Sequence, residues 1–186
     1  MFKIIISLLL IFGLSLNIEA NEKFKKEELK ELITEAKYNP SKQLELFNIY
    51  KTNYNKYNIK KSSKKAIKWL EKAANNNNVE AQLILSNLYL TGEYKVKKDI
   101  KKSFYWVKRA AKTDNSKALF KLATFYEGGV VVKRDYEKAL LLTLKSYFVD
   151  RKNEEAREKL VQIKENGEKI GYQRYLVEKV RKITSL

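Results

Sequence analysis

Ala81-Gln82-Leu83-Ile84-Leu85-Ser86-Asn87-Leu88-Tyr89 returns, one period later, as Ala118-Leu119-Phe120-Lys121-Leu122-Ala123-Thr124-Phe125-Tyr126, at an offset of 37 residues. The small, apolar and aromatic positions are kept, which is the mark of a recurring structural unit. Downstream, Asp99-Ile100-Lys101-Lys102-Ser103 parallels Asp135-Tyr136-Glu137-Lys138-Ala139 at an offset of 36. Upstream, Ala66-Ile67-Lys68-Trp69 lies 37 residues before Ser103-Phe104-Tyr105-Trp106, and Ala73-Ala74 lies 37 before Ala110-Ala111. A degenerate earlier copy, Gln43 to Tyr50, matches Gln82 to Tyr89 at an offset of 39, and its connector, Lys51 to Lys61, is longer and lacks glycine. A late half-copy begins at Glu155-Ala156-Arg157-Glu158-Lys159-Leu160.

Each unit reads as two helices. Ala81, Leu85, Leu88 and Tyr89 recur at near-helical spacing in the first, as do Ala118, Leu122, Phe125 and Tyr126. Ile100, Ser103, Phe104, Val107, Ala110 and Ala111 mark one face of the second. Asp99, Asp135 and Ser62 stand where an N-cap is wanted. Gly92 and Gly128-Gly129 follow the first helices, where the chain leaves through a left-handed residue. One such hairpin cannot bury its apolar face alone, so the units are expected to stack into an all-α solenoid of antiparallel helix pairs. The expected organisation is a signal at 1–20, a capping helix at 21–40, repeats at 41–78, 79–115 and 116–152, and a half-repeat with a capping helix at 153–186.

Composition agrees with this reading. The chain has 186 residues, 44% of them hydrophobic, with one proline and six glycines, so helix breakers are scarce. Cysteine and histidine are both absent. That excludes disulfides, thiolate nucleophiles, Cys- or His-based zinc sites and histidine acid–base catalysis. No cofactor and no metal are expected. The formal net charge of +17 draws in anionic partners, although Lys, Asn and Ile are also abundant in proteins from AT-rich genomes.

The N-terminus reads as an export signal. Lys3 precedes an apolar run from Ile4 to Leu16, and Ile18-Glu19-Ala20 offers a cut before Asn21. The run is short for a membrane span of about 20 residues. An uncleaved anchor is the alternative. Export to the periplasm or beyond ranks protein and anionic envelope partners above nucleic acid.

Tyr126-Glu127-Gly128-Gly129-Val130-Val131-Val132-Lys133-Arg134-Asp135-Tyr136-Glu137-Lys138-Ala139 resembles a Sel-one-like repeat, a relative of the tetratricopeptide repeat, and the resemblance extends over roughly residues 41 to 165. It implies a right-handed superhelix used as a scaffold or adaptor, in a family whose bacterial members are often exported. One subset carries paired cysteines and is associated with β-lactam binding or hydrolysis. Those cysteines are absent here, and so are that subset's disulfides.

Candidates for chemistry are few. Ser62-Ser63-Lys64-Lys65 contains the Ser-x-x-Lys spacing of penicillin-recognising enzymes, but without Ser-Asp-Asn or Lys-Thr-Gly. A helix cap accounts for Ser62 better. Glu154, Glu155 and Glu158 sit at helical spacing from Arg157 and Lys159, as a solvated face does. Trp69 and Trp106 recur at the repeat period, which argues for core packing. The last helix, Tyr172 to Ile183, reads as an end cap, with contact to a membrane surface as the alternative. No catalytic residue is assigned. Binding of a protein or peptide is expected on a concave face lined by the first helices, where the third and seventh repeat positions fall four apart. These are Leu44 and Asn48, Leu83 and Asn87, Phe120 and Thr124, and Glu158 and Gln162.

Overall fold

The computed structural model describes residues 2–53 and 56–184, with side chains from 18 to 53 and from 56 to 182. Nine α-helices and no strand occur among the described residues. They are α1 (Phe2–Glu35), α2 (Pro40–Tyr50), α3 (Ser63–Asn75), α4 (Val79–Thr91), α5 (Ile100–Ala111), α6 (Ser116–Gly128), α7 (Tyr136–Val149), α8 (Glu154–Asn166) and α9 (Arg174–Thr184). The protein is an all-α solenoid of helix pairs. It divides into two compact units, Met1–Asn76 and Asn77–Leu186.

Local chemistry sets where each helix begins. The side chains of Ser62, Asp99 and Asp135 accept from the backbone N–H three residues on, at Lys65, Lys102 and Lys138, starting α3, α5 and α7 as the sequence indicates. Three further starts use asparagine: Asn78, Asn115 and Asn153 accept from Ala81, Ala118 and Ala156 at 2.8, 3.1 and 3.1 Å. At α2 the cap is Asn39, accepting from the N–H of Ser41 at 2.9 Å and of Lys42 at 3.3 Å. Pro40 occupies the first helical turn of α2, where a missing N–H costs nothing. Gly92 and Gly129 adopt φ of 79° and 68° and end α4 and α6, as expected.

In the first unit α2 packs on α3 and α1 on α2. Leu32, Ala36, Leu46, Phe47, Leu70 and Ala73 are buried. The amide of Gln43 is buried as well. It donates from Nε2 to the Ala36 carbonyl at 2.8 Å and accepts at Oε1 from Asn76 Nδ2 at 3.0 Å. This satisfies a group that would otherwise be costly to bury. Helix α1 runs unbroken through the expected cut after Ala20. Ile18 to Phe24 are all exposed, Phe24 at 68%, and burial starts further on, at Leu32 and Ala36. The side chains of the apolar run from Ile4 to Leu16 lie outside the described residues.

In the second unit each helix packs on the next, from α4 to α9. Val107, Ala110, Ala111, Ala118, Leu119 and Leu122 form one core cluster, against which Leu83, Phe104, Phe125, Tyr126 and Leu142 pack. Ala81, Ala118 and Ala156 are fully buried, and their small size lets neighbouring helices approach closely. A polar knot also joins the elements. Ser116 and Ser146 exchange hydroxyl bonds with each other's carbonyls, and Asn153 Nδ2 donates to both hydroxyls at 2.7 and 3.0 Å. Leu140, Leu144, Leu160, Ile163, Tyr172, Leu176, Val177 and Val180 form the second cluster. Leu176, Val177 and Val180 of α9 are buried there, so these apolar residues face the core and are not presented to a membrane.

Candidate functional site

The repeats share a clasp between their two helices. The backbone N–H of each second-helix cap donates to the carbonyl of the tyrosine near the end of the first helix: Ser62 to Tyr50 at 2.9 Å, Asp99 to Tyr89 at 2.8 Å, Asp135 to Tyr126 at 2.9 Å. The lysine three residues beyond each cap then lies over that tyrosine's ring. Its ammonium is 5.2 Å from the centroid at Lys65, 5.3 Å at Lys102 and 4.3 Å at Lys138. One lysine therefore supplies the capped N–H and a cation–π contact at once. The Ser-x-x-Lys spacing at Ser62 is absorbed by this device: the Ser62 hydroxyl accepts from Lys65 N at 3.3 Å while the Lys65 ammonium sits on Tyr50.

The expected binding residues separate by burial. In the first unit Leu44 is 7% exposed and belongs to the core, while Asn48, one turn on, is exposed. Leu44 is thus removed from any binding surface, because its own side chain is packed into the core while Asn48 one turn on is not. In the second unit Leu83 is half-buried and packs against the first core cluster, and Asn87 is exposed. Phe120 is half-buried and Thr124 exposed, its Oγ1 donating to the Lys121 carbonyl at 2.8 Å. Glu158 and Gln162 are brought together with Arg157 and Val161 around a hollow of about 330 Å³. Glu154 bonds to Arg157 and holds that guanidinium above its ordinary range.

Several features had no signal in the sequence alone. Lys159 does not join the Glu154 cluster; it reaches Glu127 at 2.5 Å, a pair more buried than the other ion pairs of the described residues. Burial, then the Glu127 carboxylate, pushes the Tyr172 hydroxyl well above the usual phenol range. Arg109 donates to Asn77 Oδ1 at 2.8 Å and lies over Trp106. Trp106 is buried, as expected, whereas Trp69 is only half-buried with Lys72 over its ring. Among the described residues no group of acidic side chains is arranged to hold a metal ion.

With the repeated hairpins and their clasp in view, the comparisons with known proteins point one way. A family model described as Sel1 repeat matches residues 56–78, 79–115 and 116–147. The Sel1 repeat protein from Oxalobacter formigenes is 31% identical; the match covers 73% of this chain and 98% of that one, with a TM-score of 0.65. The chain belongs to the Sel1 repeat family. Two further structures share the fold. The Escherichia coli protective antigen c5321, with an SLR fold, is 21% identical at a TM-score of 0.63, covering 79% of this chain and 29% of that one. Helicobacter pylori cysteine-rich protein B is 19% identical at a TM-score of 0.52, covering 74% of this chain and 96% of that one. No curated protein matches the sequence. Sel1 repeats generally mediate protein–protein interaction and typically act as non-enzymatic scaffolds.

Proposed function

We propose that this Sel1 repeat protein is an exported, non-catalytic interaction module. In the second unit it holds a protein or peptide partner against the exposed positions of its first helices. The supporting observation is the pattern of burial along α4, α6 and α8. Packing consumes Ala81, Leu85, Ala118, Leu122, Ala156 and Leu160, yet leaves Asn87, Thr124, Glu158 and Gln162 exposed and Phe120 half-exposed. An aryl ring among amides, a hydroxyl and a carboxylate suits an extended peptide or a helix, which needs apolar anchorage and hydrogen bonds together. Asn48 offers an equivalent amide in the first unit. Export rests on the charged start, the apolar run and the small residue at 20. The exposure of Ile18 to Phe24 means that a cut after Ala20 removes no described core residue. Among the described residues no helix is long and apolar enough to cross a membrane.

The test begins with crosslinking in intact cells and capture of the partner, followed by affinity measurement with purified components. Asn87→Ala combined with Phe120→Ala is expected to weaken binding at least tenfold, by analogy with truncation of central interface residues. Unchanged affinity in that double variant removes this face from consideration. Absence of the mature chain, beginning at Asn21, from the envelope or medium fraction refutes export.

A further inference from the structure

The charge of this chain is not evenly spread. Between residues 95 and 112 there are eight cations, Lys95, Lys97, Lys98, Lys101, Lys102, Lys108, Arg109 and Lys112, against one carboxylate, Asp99. Asp99 is committed to capping α5. Lys102 is engaged over Tyr89, and Arg109 over Trp106 and with Asn77. The other six cations are exposed, and none of them pairs with a carboxylate among the described residues. Lys101, Tyr105 and Lys108 of α5 and Lys112 at its C-cap fall at intervals of four, three and four. They therefore line one outward stripe about 16 Å long, opposite the buried Ser103, Trp106, Val107 and Ala110. Tyr105, in the middle of that stripe, is 55% exposed, and Ile100 at its start is 40% exposed.

We propose that the outer face of α5 and the lysine-rich strap before it form a docking surface for an anionic phospholipid bilayer. Three features select this partner. The uncommitted cations are all lysines, point charges on flexible stems. A laterally mobile field of headgroups can satisfy these, whereas a partner fixed in space by paired hydrogen bonds calls for arginine forks. The aromatic in the stripe is a tyrosine, whose apolar ring and polar hydroxyl match the headgroup level. The contact is one helix face with the strap that leads into it, and its unneutralised cations are complementary to an anionic surface. This surface is separate from the proposed partner face on α4, α6 and α8, and does not depend on it.

The test uses the full chain and vesicles of phosphatidylcholine with or without phosphatidylglycerol. Binding to the neutral vesicles is the baseline, and the increment caused by phosphatidylglycerol is the readout. The triple variant Lys101→Gln, Lys108→Gln, Lys112→Gln keeps helix propensity and should weaken the increment roughly a hundredfold, about fivefold per lysine. A control triple variant with the same charge loss, Lys60→Gln, Lys64→Gln, Lys68→Gln, should weaken it far less. Equal loss in both variants overturns the proposal, because net charge alone then explains the binding. An increment untouched by the α5 variant overturns it too. Because the chain has no cysteine, a fluorophore on Tyr105→Cys reports one place. It should shift to the blue on anionic vesicles, while the same fluorophore on Asn87→Cys should not. A response of the position 105 probe to duplex DNA or polyglutamate but not to vesicles would assign the face to another class of anion and refute a bilayer. Circular dichroism verifies that the variants are folded.

Discussion

The first hairpin and the later two close in the same way but are held by different means. In α2–α3 the connector spans 51–62 and contains no glycine; in α4–α5 and α6–α7 it is shorter and starts on a left-handed glycine. The first connector is pinned by its own contacts. Tyr57 is buried, Lys56 pairs with Glu28 of α1, Asn53 Oδ1 accepts from Lys61 N at 3.0 Å, and Asn58 takes the positive φ, 54°. The later connectors begin on a left-handed glycine instead, although Tyr94 and Lys95 of the α4–α5 connector also take positive φ, 53° and 64°. Yet all three deliver the same cap, the same N–H to tyrosine carbonyl bond and the same lysine over the same ring. The repeat thus conserves the point of closure, and the path to it is free to vary. The physical reason is that loop entropy changes slowly with length, whereas a lost cap or contact is felt directly.

That contrast can be broken by mutation. Tyr57→Ala should cost about 3 kcal/mol in denaturant unfolding, since it empties a buried aromatic site on which the glycine-free connector depends. Gly129→Ala should cost about 2 kcal/mol. An added Cβ would stand 2.8 Å from Arg134 Cβ and 3.1 Å from Arg134 N, on top of the left-handed strain. Gly92→Ala should cost nearer to 1 kcal/mol, because its closest neighbours belong to the flexible Lys98 side chain at 3.1 and 3.2 Å. Equal losses at the two glycines would mean that the connectors relax alike and that the crowding at Arg134 is unimportant. Ser62→Ala, Asp99→Ala and Asp135→Ala should each cost about 1 kcal/mol. If only Ser62→Ala is silent, the first hairpin does not use the shared clasp. The smallest effect is expected for Lys138→Gln, about 0.5 kcal/mol, from loss of the 4.3 Å contact over Tyr126.

Much of this was open to reading beforehand. The 36- and 37-residue offsets, the aspartate caps and the exit glycines depend on local chemistry, which a single chain displays directly. The asparagine caps at Asn39, Asn78, Asn115 and Asn153 were hidden, because asparagine is as common in connectors as in caps. At the candidate surface the spacing gave eight positions of equal standing. Burial then separated Leu44 from Asn48 and left Leu83 packed against a core cluster. Helical periodicity says which residues share a face, but only neighbouring helices decide whether that face is covered.

By itself, then, the sequence determined that the chain is built of repeated helix pairs, where the second helices of those pairs start and where glycine ends two of the first, and that histidine and cysteine chemistry are absent. Tertiary structure alone decided that α9 turns its apolar side inward, that Lys159 reaches Glu127 across helices, and that Lys101 and Lys108 of α5 have no carboxylate partner among the described residues. The difference is one of range. Caps, turns and periodicity act over three or four residues, whereas burial and ion pairing depend on groups that are distant in the chain and adjacent only after folding.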